Sequence, residues 1–297
     1  MRMSTVHLFA PVVLAALCPV ASSWPATSAP AVSLKPFKDE LFSGQTVLES
    51  RDKGDFQTID YQEMRDINGR DEIPERRVKS AYVSLGVRHQ QKDETLDLGD
   101  AGKLDVTRTG PSDGAAFTVI FIHGRGGDRR LGADDYKFGG NFNRLKNLAS
   151  DNGGTYYAPS VRSFDQSGVT QVAALIDYAS AHSGGRPVVL SCASMGSFIC
   201  WGLTRDERIV AKLSGMAILG GASDPDFTAS AAFKRKLPMW FTHGSRDSVY
   251  AAGDQIALYE RLHRTGYPTR FTLFLTGSHG TPVRMTDWRA VLNWLIR

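Results

Sequence analysis

From residue 117 onward the chain alternates between short apolar runs and longer stretches with a helical repeat. The run Phe117 to Ile122 suits a strand buried on both faces. Phe142, Leu145 and Leu148 then share one helical stripe. Thr155 to Ala158 reads as a short strand. Val172, Leu175, Ile176 and Ala179 fall at i, i+3, i+4 and i+7, which is one face of a helix. Pro187 opens a strand over Val188 to Ser191. Met216 to Leu219, Met239 to Thr242 and Arg270 to Leu275 are further strands, and Leu258 and Leu262 sit one helical turn apart between the last two. Met285, Trp288, Leu292 and Leu295 predict a final amphipathic helix. Repeated strand–helix units imply an α/β fold with a mostly parallel central sheet and helices on both faces.

The pattern before residue 117 is less regular. Ala81 to Val87 alternates loosely and predicts a strand, while Thr95 to Leu98 and Leu104 to Thr107 predict a short meander. Residues 39–79 form a charged extension without a clean period, a surface addition to the core or a wall of a substrate site. Residues 24–38 are rich in Pro, Ala and Ser and read as a flexible leader. Residues 1–23 have the layout of an export signal: Arg2, an apolar run from Leu8 to Val20, then small Ala21, Ser22 and Ser23. That run is short for a bilayer span. The folded domain is therefore expected over 80–297, in the periplasm or secreted, with no stable membrane span.

Composition narrows the classes further. Of 297 residues, 42% are hydrophobic and 22% charged, a soluble globular balance. A formal charge of +4 is small for this length and shows no clustered basic face, so nucleic acid is not expected as a partner.

Candidate chemistry begins at Cys192-Ala193-Ser194-Met195-Gly196, between a predicted strand and a helix-like stretch through Phe198, Trp201 and Leu203. Strand–turn–helix is the setting of a nucleophile elbow, whose positions two before and two after the serine must be small. Gly196 meets this, and Cys192 stands where glycine is usual. A serine hydroxyl is a poor nucleophile without a base, and the base needs an orienting group. Trp240-Phe241-Thr242-His243-Gly244-Ser245-Arg246-Asp247-Ser248-Val249 follows a buried strand. Here the chain resembles the α/β-hydrolase superfamily, especially small carboxylesterases, dienelactone hydrolases and acyl-protein thioesterases. In those families His-Gly-x-x-Asp-x-Val after the seventh strand supplies the triad acid. The resemblance runs from about Phe117 to the C-terminus and implies Asp247 as the acid. A helix-capping Asp is the structural alternative, and Asp224 and Asp226 are the other acid candidates. Gly277-Ser278-His279-Gly280, before the last helix, matches the loop that carries the family's catalytic His.

Acyl transfer also needs donors for the developing oxyanion, each worth roughly 3 kcal/mol. The resemblance implies the backbone N–H groups of Met195 and of Arg125, the latter within His123-Gly124-Arg125-Gly126-Gly127. Arg125, Arg129 and Arg130 form a candidate attractor for an anionic substrate, or a solvated loop balanced by nearby aspartates. His123 and His243 read as structural members of His-Gly turns, and His89, His182 and His263 as surface residues. No metal-ligand spacing is evident, so no metal or cofactor is expected.

Two cysteines, Cys192 and Cys200, lie beyond the export signal. Cys200 should lie about 9 Å down the helix and Cys192 about 6.6 Å down the strand. With a full layer spacing between them the Cα atoms come within roughly 8 Å, slightly beyond the disulfide range of about 7 Å. The balance is therefore against a bond.

Only 18 residues, Gly220 to Leu237, separate two strands where many family members carry a lid. An open site without a large lid is expected. The leading reading is a serine hydrolase for carboxylic esters or thioesters of small-molecule substrates, working through an acyl-enzyme. An amide or peptide hydrolase with the same triad is the alternative, and a non-catalytic binding protein on this scaffold is a third. No residue can be assigned to substrate binding from the pattern.

Overall fold

The computed structural model describes residues 33–296 together with Met1. The expected export signal beyond Met1 and the expected leader up to residue 32 lie outside the described residues. The strands are β1 (Val47–Arg51), β2 (Phe56–Asp60), β3 (Asp71–Glu72), β4 (Arg77–Val78), β5 (Gln91–Asp97), β6 (Lys103–Thr109), β7 (Thr118–Ile122), β8 (Thr155–Pro159), β9 (Val188–Ala193), β10 (Leu213–Leu219), β11 (Met239–Gly244) and β12 (Thr269–Leu275). Ten of them build one sheet in the order β1-β2-β12-β11-β10-β9-β7-β8-β6-β5, and β3 pairs only with β4. From β2 to β8 neighbouring strands run parallel, while β1, β6 and β5 add antiparallel pairings at the two edges.

The central strands are buried along their length because helices cover both faces. Alternate residues sort cleanly between the two sides, as a pleated strand requires. Ile120, Ile122, Leu190, Met216, Ile218 and Phe241 share one core with helices Gln166–His182 and Ala252–Arg264. Val119, Phe121, Val189, Ala217 and Leu219 share the other with helices Asn141–Asp151 and Trp288–Leu295. Each of the larger of these side chains, fully buried, stabilises the fold by about 1.5–3 kcal/mol relative to exposure.

Two predicted elements differ. Residues 81–87 form no strand; short 3₁₀ turns occupy Ser80–Tyr82 and Leu85–Gln90. The Asn143 side chain accepts from Ser84 N–H and donates to Ser84 C=O, satisfying locally the groups a strand partner would have taken. The final helix is divided in two, Thr281–Met285 and Trp288–Leu295. Thr286 ends the first, and Asp287 caps the second by accepting from the amides of Arg289 and Ala290.

The charged segment 39–79 belongs to the sheet edge. β2 adds parallel to β12, and Phe56 stacks on Phe271 with ring centroids 5.1 Å apart. Beyond β2, Arg284 grips the segment: its guanidinium forms a two-pronged pair with the buried Asp71 and donates to the Asp66 carbonyl at 2.9 Å. Arg284 follows the His279 loop by one helical turn, so the segment is fixed beside that loop.

Candidate active site

The strand order reverses between β7 and β9, and the loops leaving these two strands meet there. Such a switch point at the C-terminal ends of parallel strands is where open α/β sheets bind ligands. Ser194 follows β9 with φ of 53°, a left-handed conformation that lifts its side chain off the sheet. Gly196 is needed because a Cβ there would lie 2.6 Å from the His123 carbonyl. Gly124 likewise faces Ser194, where a Cβ would come within 2.8 Å of the serine Cβ.

Three loops bring the predicted residues into one line. Ser194 Oγ lies 2.8 Å from His279 Nε2, and His279 Nδ1 lies 2.8 Å from Asp247 Oδ2. The Asp247 side chain is fully buried, and its Oδ1 accepts from the amides of Val249 at 2.8 Å and Tyr250 at 3.1 Å. A carboxylate held by two backbone amides can reach one face of the imidazole only, which fixes the ring's tautomer and angle. Asp224 is elsewhere, in a two-pronged pair with Arg205 at 2.6 and 3.0 Å, and Asp226 donates its amide to it.

Arg125 and Met195 flank Ser194 in a cavity of about 380 Å³. Phe121, Leu131, Phe138 and Leu219 give it an apolar wall. Met195 lies in the first turn after β9, where amides have no partner within the helix. Of the three loop arginines, Arg125 alone reaches this cavity; Arg129 pairs with Asp93 at 3.0 Å and Arg130 with Asp128 at 2.5 Å. Phe138 and Gly280 are shared with a second cavity of about 420 Å³, walled by Tyr61, Ile67 and Arg76 of the N-terminal segment. Val249 and Tyr250 are shared with a third of about 510 Å³. Between β10 and β11 only a 3₁₀ turn and the helix Ala231–Lys234 intervene, so no lid covers the serine from that side.

The cysteine expectation is corrected. Cys192 and Cys200 form a disulfide, with Cα atoms 6.3 Å apart. The sharp elbow keeps the first helical turns closer to their own strand than a full layer spacing.

Among the described residues there is no group of three or more His, Cys, Asp or Glu side chains that could hold a metal ion, and no helix is long and apolar enough to cross a membrane.

Comparison with known proteins bears on the fold. No family model matches the chain, and no curated protein matches its sequence. Solved structures do match. A lidless α/β serine hydrolase from Xanthomonas campestris superposes with a TM-score of 0.51 at 19% identity, over 70% of this chain and 94% of that one. An esterase from Pyrococcus furiosus gives 0.51 at 15% identity, over 69% and 91%. A serine hydrolase homologue from Coxiella burnetii gives 0.51 at 18%, over 68% and 95%. The chain has the α/β-hydrolase fold.

Within this α/β-hydrolase fold, two more residues stand beside the line: His243, expected as a structural member of its His-Gly turn, and Tyr250, which the sequence did not single out. His243 is fully buried, and its Nε2 lies 3.3 Å from Asp247 Oδ2. The i, i+4 spacing of His243 and Asp247 was a visible signal, but a turn rather than a helix makes the contact. Tyr250 places its ring 5.8 Å from that of His279. Burial pushes its phenol above the usual tyrosine range, against the pull of the Arg125 charge. His123 behaves as a loop tie: its Nδ1 faces the Gly124 carbonyl at 2.7 Å and its Nε2 accepts from Val161 N–H at 3.0 Å. Burial lowers its pKa, so the ring is neutral.

Proposed function

We propose that this chain is a serine hydrolase of carboxylic esters or thioesters that works through an acyl-enzyme. The observation that carries the reading is the unbroken hydrogen-bonded line from Ser194 through His279 to Asp247. In this reading His279 Nε2 takes the proton from Ser194 Oγ as the oxygen attacks the substrate carbonyl. Asp247 keeps the ring oriented and stabilises the imidazolium. The amides of Arg125 and Met195 receive the oxyanion. His279 then returns its proton to the departing alcohol or thiol, and a water activated by the same ring releases the acid. Each oxyanion donor contributes roughly 3 kcal/mol to the barrier reduction.

The apolar cavity beside the serine suits an acyl group. The second cavity adjoins Gly280, next to the ring that protonates the leaving group, and suits that group. The buried disulfide supports work in an oxidising compartment, periplasmic or extracellular, as the N-terminal pattern also suggests.

A fluorophosphonate probe on the wild-type chain and on Ser194→Ala tests the reading. Labelling of the wild type alone is expected, together with turnover of a p-nitrophenyl ester. Folded wild-type protein that takes no label refutes it. Label retained by Ser194→Ala moves the nucleophile elsewhere. Turnover of a matched anilide at a rate comparable with the ester would shift the substrate class to amides.

A further inference from the structure

The carboxylate of Asp247 serves two imidazole rings. Its Oδ2 meets His279 Nδ1 at 2.8 Å and His243 Nε2 at 3.3 Å, while Oδ1 takes two backbone amides. Three hydrogen bonds reach this buried carboxylate, and the His243 ring nitrogen lies against Oδ2 at ion-pair distance. His243 is as buried as its partner, so every ring nitrogen must find a group of opposite hydrogen-bonding sense inside the protein.

Those groups decide the ring's protonation. Nε2 faces the Tyr250 carbonyl at 3.0 Å as well as Asp247 Oδ2, and both can only accept. Nε2 therefore carries a hydrogen. Nδ1 lies 2.7 Å from Gln255 Oε1. The same amide's Nε2 points at the Gly221 carbonyl at 3.3 Å, again a pure acceptor, which orients the Gln255 side chain with its oxygen toward the histidine. Nδ1 therefore carries a hydrogen too. A ring with two N–H donors is an imidazolium. The groups that face it agree with a cation. Asp247 comes from its own loop, with His279 behind that carboxylate. Helix Ala252–Arg264 contributes neutral Gln255, and the loop after β10 contributes the backbone of Gly221. In the sheet, Leu273 of β12 is its register partner.

We infer that His243 is a positioning residue, held as a buried imidazolium whose charge lies 3.3 Å from Asp247 Oδ2 and offsets part of that carboxylate's charge toward His279. The inference rests on the proposed role of the Ser194 line and adds to it a fixed counter-charge. Two consequences follow. The Asp247 Oδ2 position is set from behind by a side chain as well as by the two amides on Oδ1. The carboxylate that orients His279 is also shared with a second cation. Replacing His243 by a neutral donor removes that cation, which lies no more than about 6 Å from His279 Nδ1 through the shared oxygen. His279 should then hold its proton more tightly, by on the order of one pH unit in a partly screened interior.

The experiment uses ¹⁵N-histidine labelling of the wild-type chain, with His243→Gln to assign the ring. Two-bond ¹⁵N–¹H spectra across about pH 5.5–7.5 (about one unit either side of the ordinary histidine value) should show both His243 nitrogens protonated throughout. A single-proton neutral tautomer near pH 7 overturns the inference whether or not the protein hydrolyses anything. The second arm is the acid limb of the ester kcat/KM profile, which should move upward by on the order of one unit in His243→Gln. An unmoved limb with lowered kcat leaves His243 a packing residue and overturns the counter-charge. If His243→Gln fails to fold, Gln255→Met removes only the acceptor on Nδ1. It shifts the same ring's signals, gives the assignment, and should let the ring lose a proton at lower pH than in the wild type. Absence of hydrolysis by the wild type, with an imidazolium spectrum intact, counts against the proposed function and not against the state of this ring.

Discussion

Opening the Cys192–Cys200 bond isolates one covalent contribution to the elbow. The two residues are eight positions apart and both fully buried. In the chain-entropy treatment, closing a loop of that length removes about 8 cal/mol/K from the unfolded ensemble, or about 2.5 kcal/mol at 25 °C. Reduction keeps both sulfurs in the core, so the oxidised and reduced wild type differ by the bond alone. The double variant Cys192→Ala with Cys200→Ala also loses two buried sulfurs and should fall by a further kcal/mol or so, by analogy with other small core truncations. Urea unfolding followed by circular dichroism, after equilibration with and without reductant, reads these differences as shifts in midpoint at constant slope. The corresponding drop in Tm is about 5–10 °C for a domain of this size. The loop enclosed by the bond contains Ser194 in its left-handed conformation, which costs on the order of 1–3 kcal/mol and persists only while its surroundings hold it. Fluorophosphonate labelling should therefore slow in the reduced protein well below its melting temperature. Coincident unfolding midpoints for the oxidised and reduced forms would refute the entropic argument. Equal labelling rates would show that the elbow holds without the bond.

Gly124→Ala puts a methyl 2.8 Å from the Ser194 Cβ and forces the oxyanion loop aside. Labelling should fall by about a hundredfold, the cost of misplacing a reacting group by roughly 1 Å, with little change in melting; an unchanged rate would remove this loop from the site. Arg284→Met strands the buried Asp71 carboxylate and should destabilise the fold by about 3–5 kcal/mol in urea, with proteolysis appearing first in residues 61–76. Resistance equal to wild type would mean the segment is held by other contacts. Asp135 is buried, which opposes its ionisation, yet Lys146, Asn143 and Arg88 outweigh burial and hold its pKa below the usual range. A depressed folded pKa gives stability that is present above the unfolded value near 4 and lost as pH falls through the folded one. Asp135→Asn should flatten the stability curve below about pH 4; identical acid slopes in both proteins would contradict the assignment.

The elements legible in the sequence were those whose pattern is local. β7, β9, β10 and β11 are buried on both sides, so their residues read as apolar runs without any knowledge of their neighbours. β2 escaped notice because Phe56, Thr58 and Ile59 are buried while Gln57 and Asp60 are partly so, a mixed pattern in a charge-rich stretch. Its place is set by Phe271, more than 200 residues away, through a parallel pairing that no local period reports. Residues 81–87 erred in the opposite sense. Their alternation is real, but the Asn143 side chain meets the backbone at Ser84 and ends the segment as turns.

The candidate site divides along the same physical line. Turns that must be tight carry glycine at fixed offsets, so the loops around Ser194, Asp247 and His279 announce themselves one at a time. What joins the loops to the rest of the molecule is invisible in that code. The second cavity is walled in part by Arg284, which also holds Asp71, and the charge beside Asp247 depends on how Gln255 is turned. Cys192 shows the two kinds of information meeting. Read against the family pattern it weakens the elbow, since glycine is usual there. The turn asks only that this position clear the following helix, and a thiol does so. Its sulfur then faces Cys200 across the same close approach that excludes larger residues. The crowding that makes the position demand a small side chain is thus what brings the second cysteine within bonding distance.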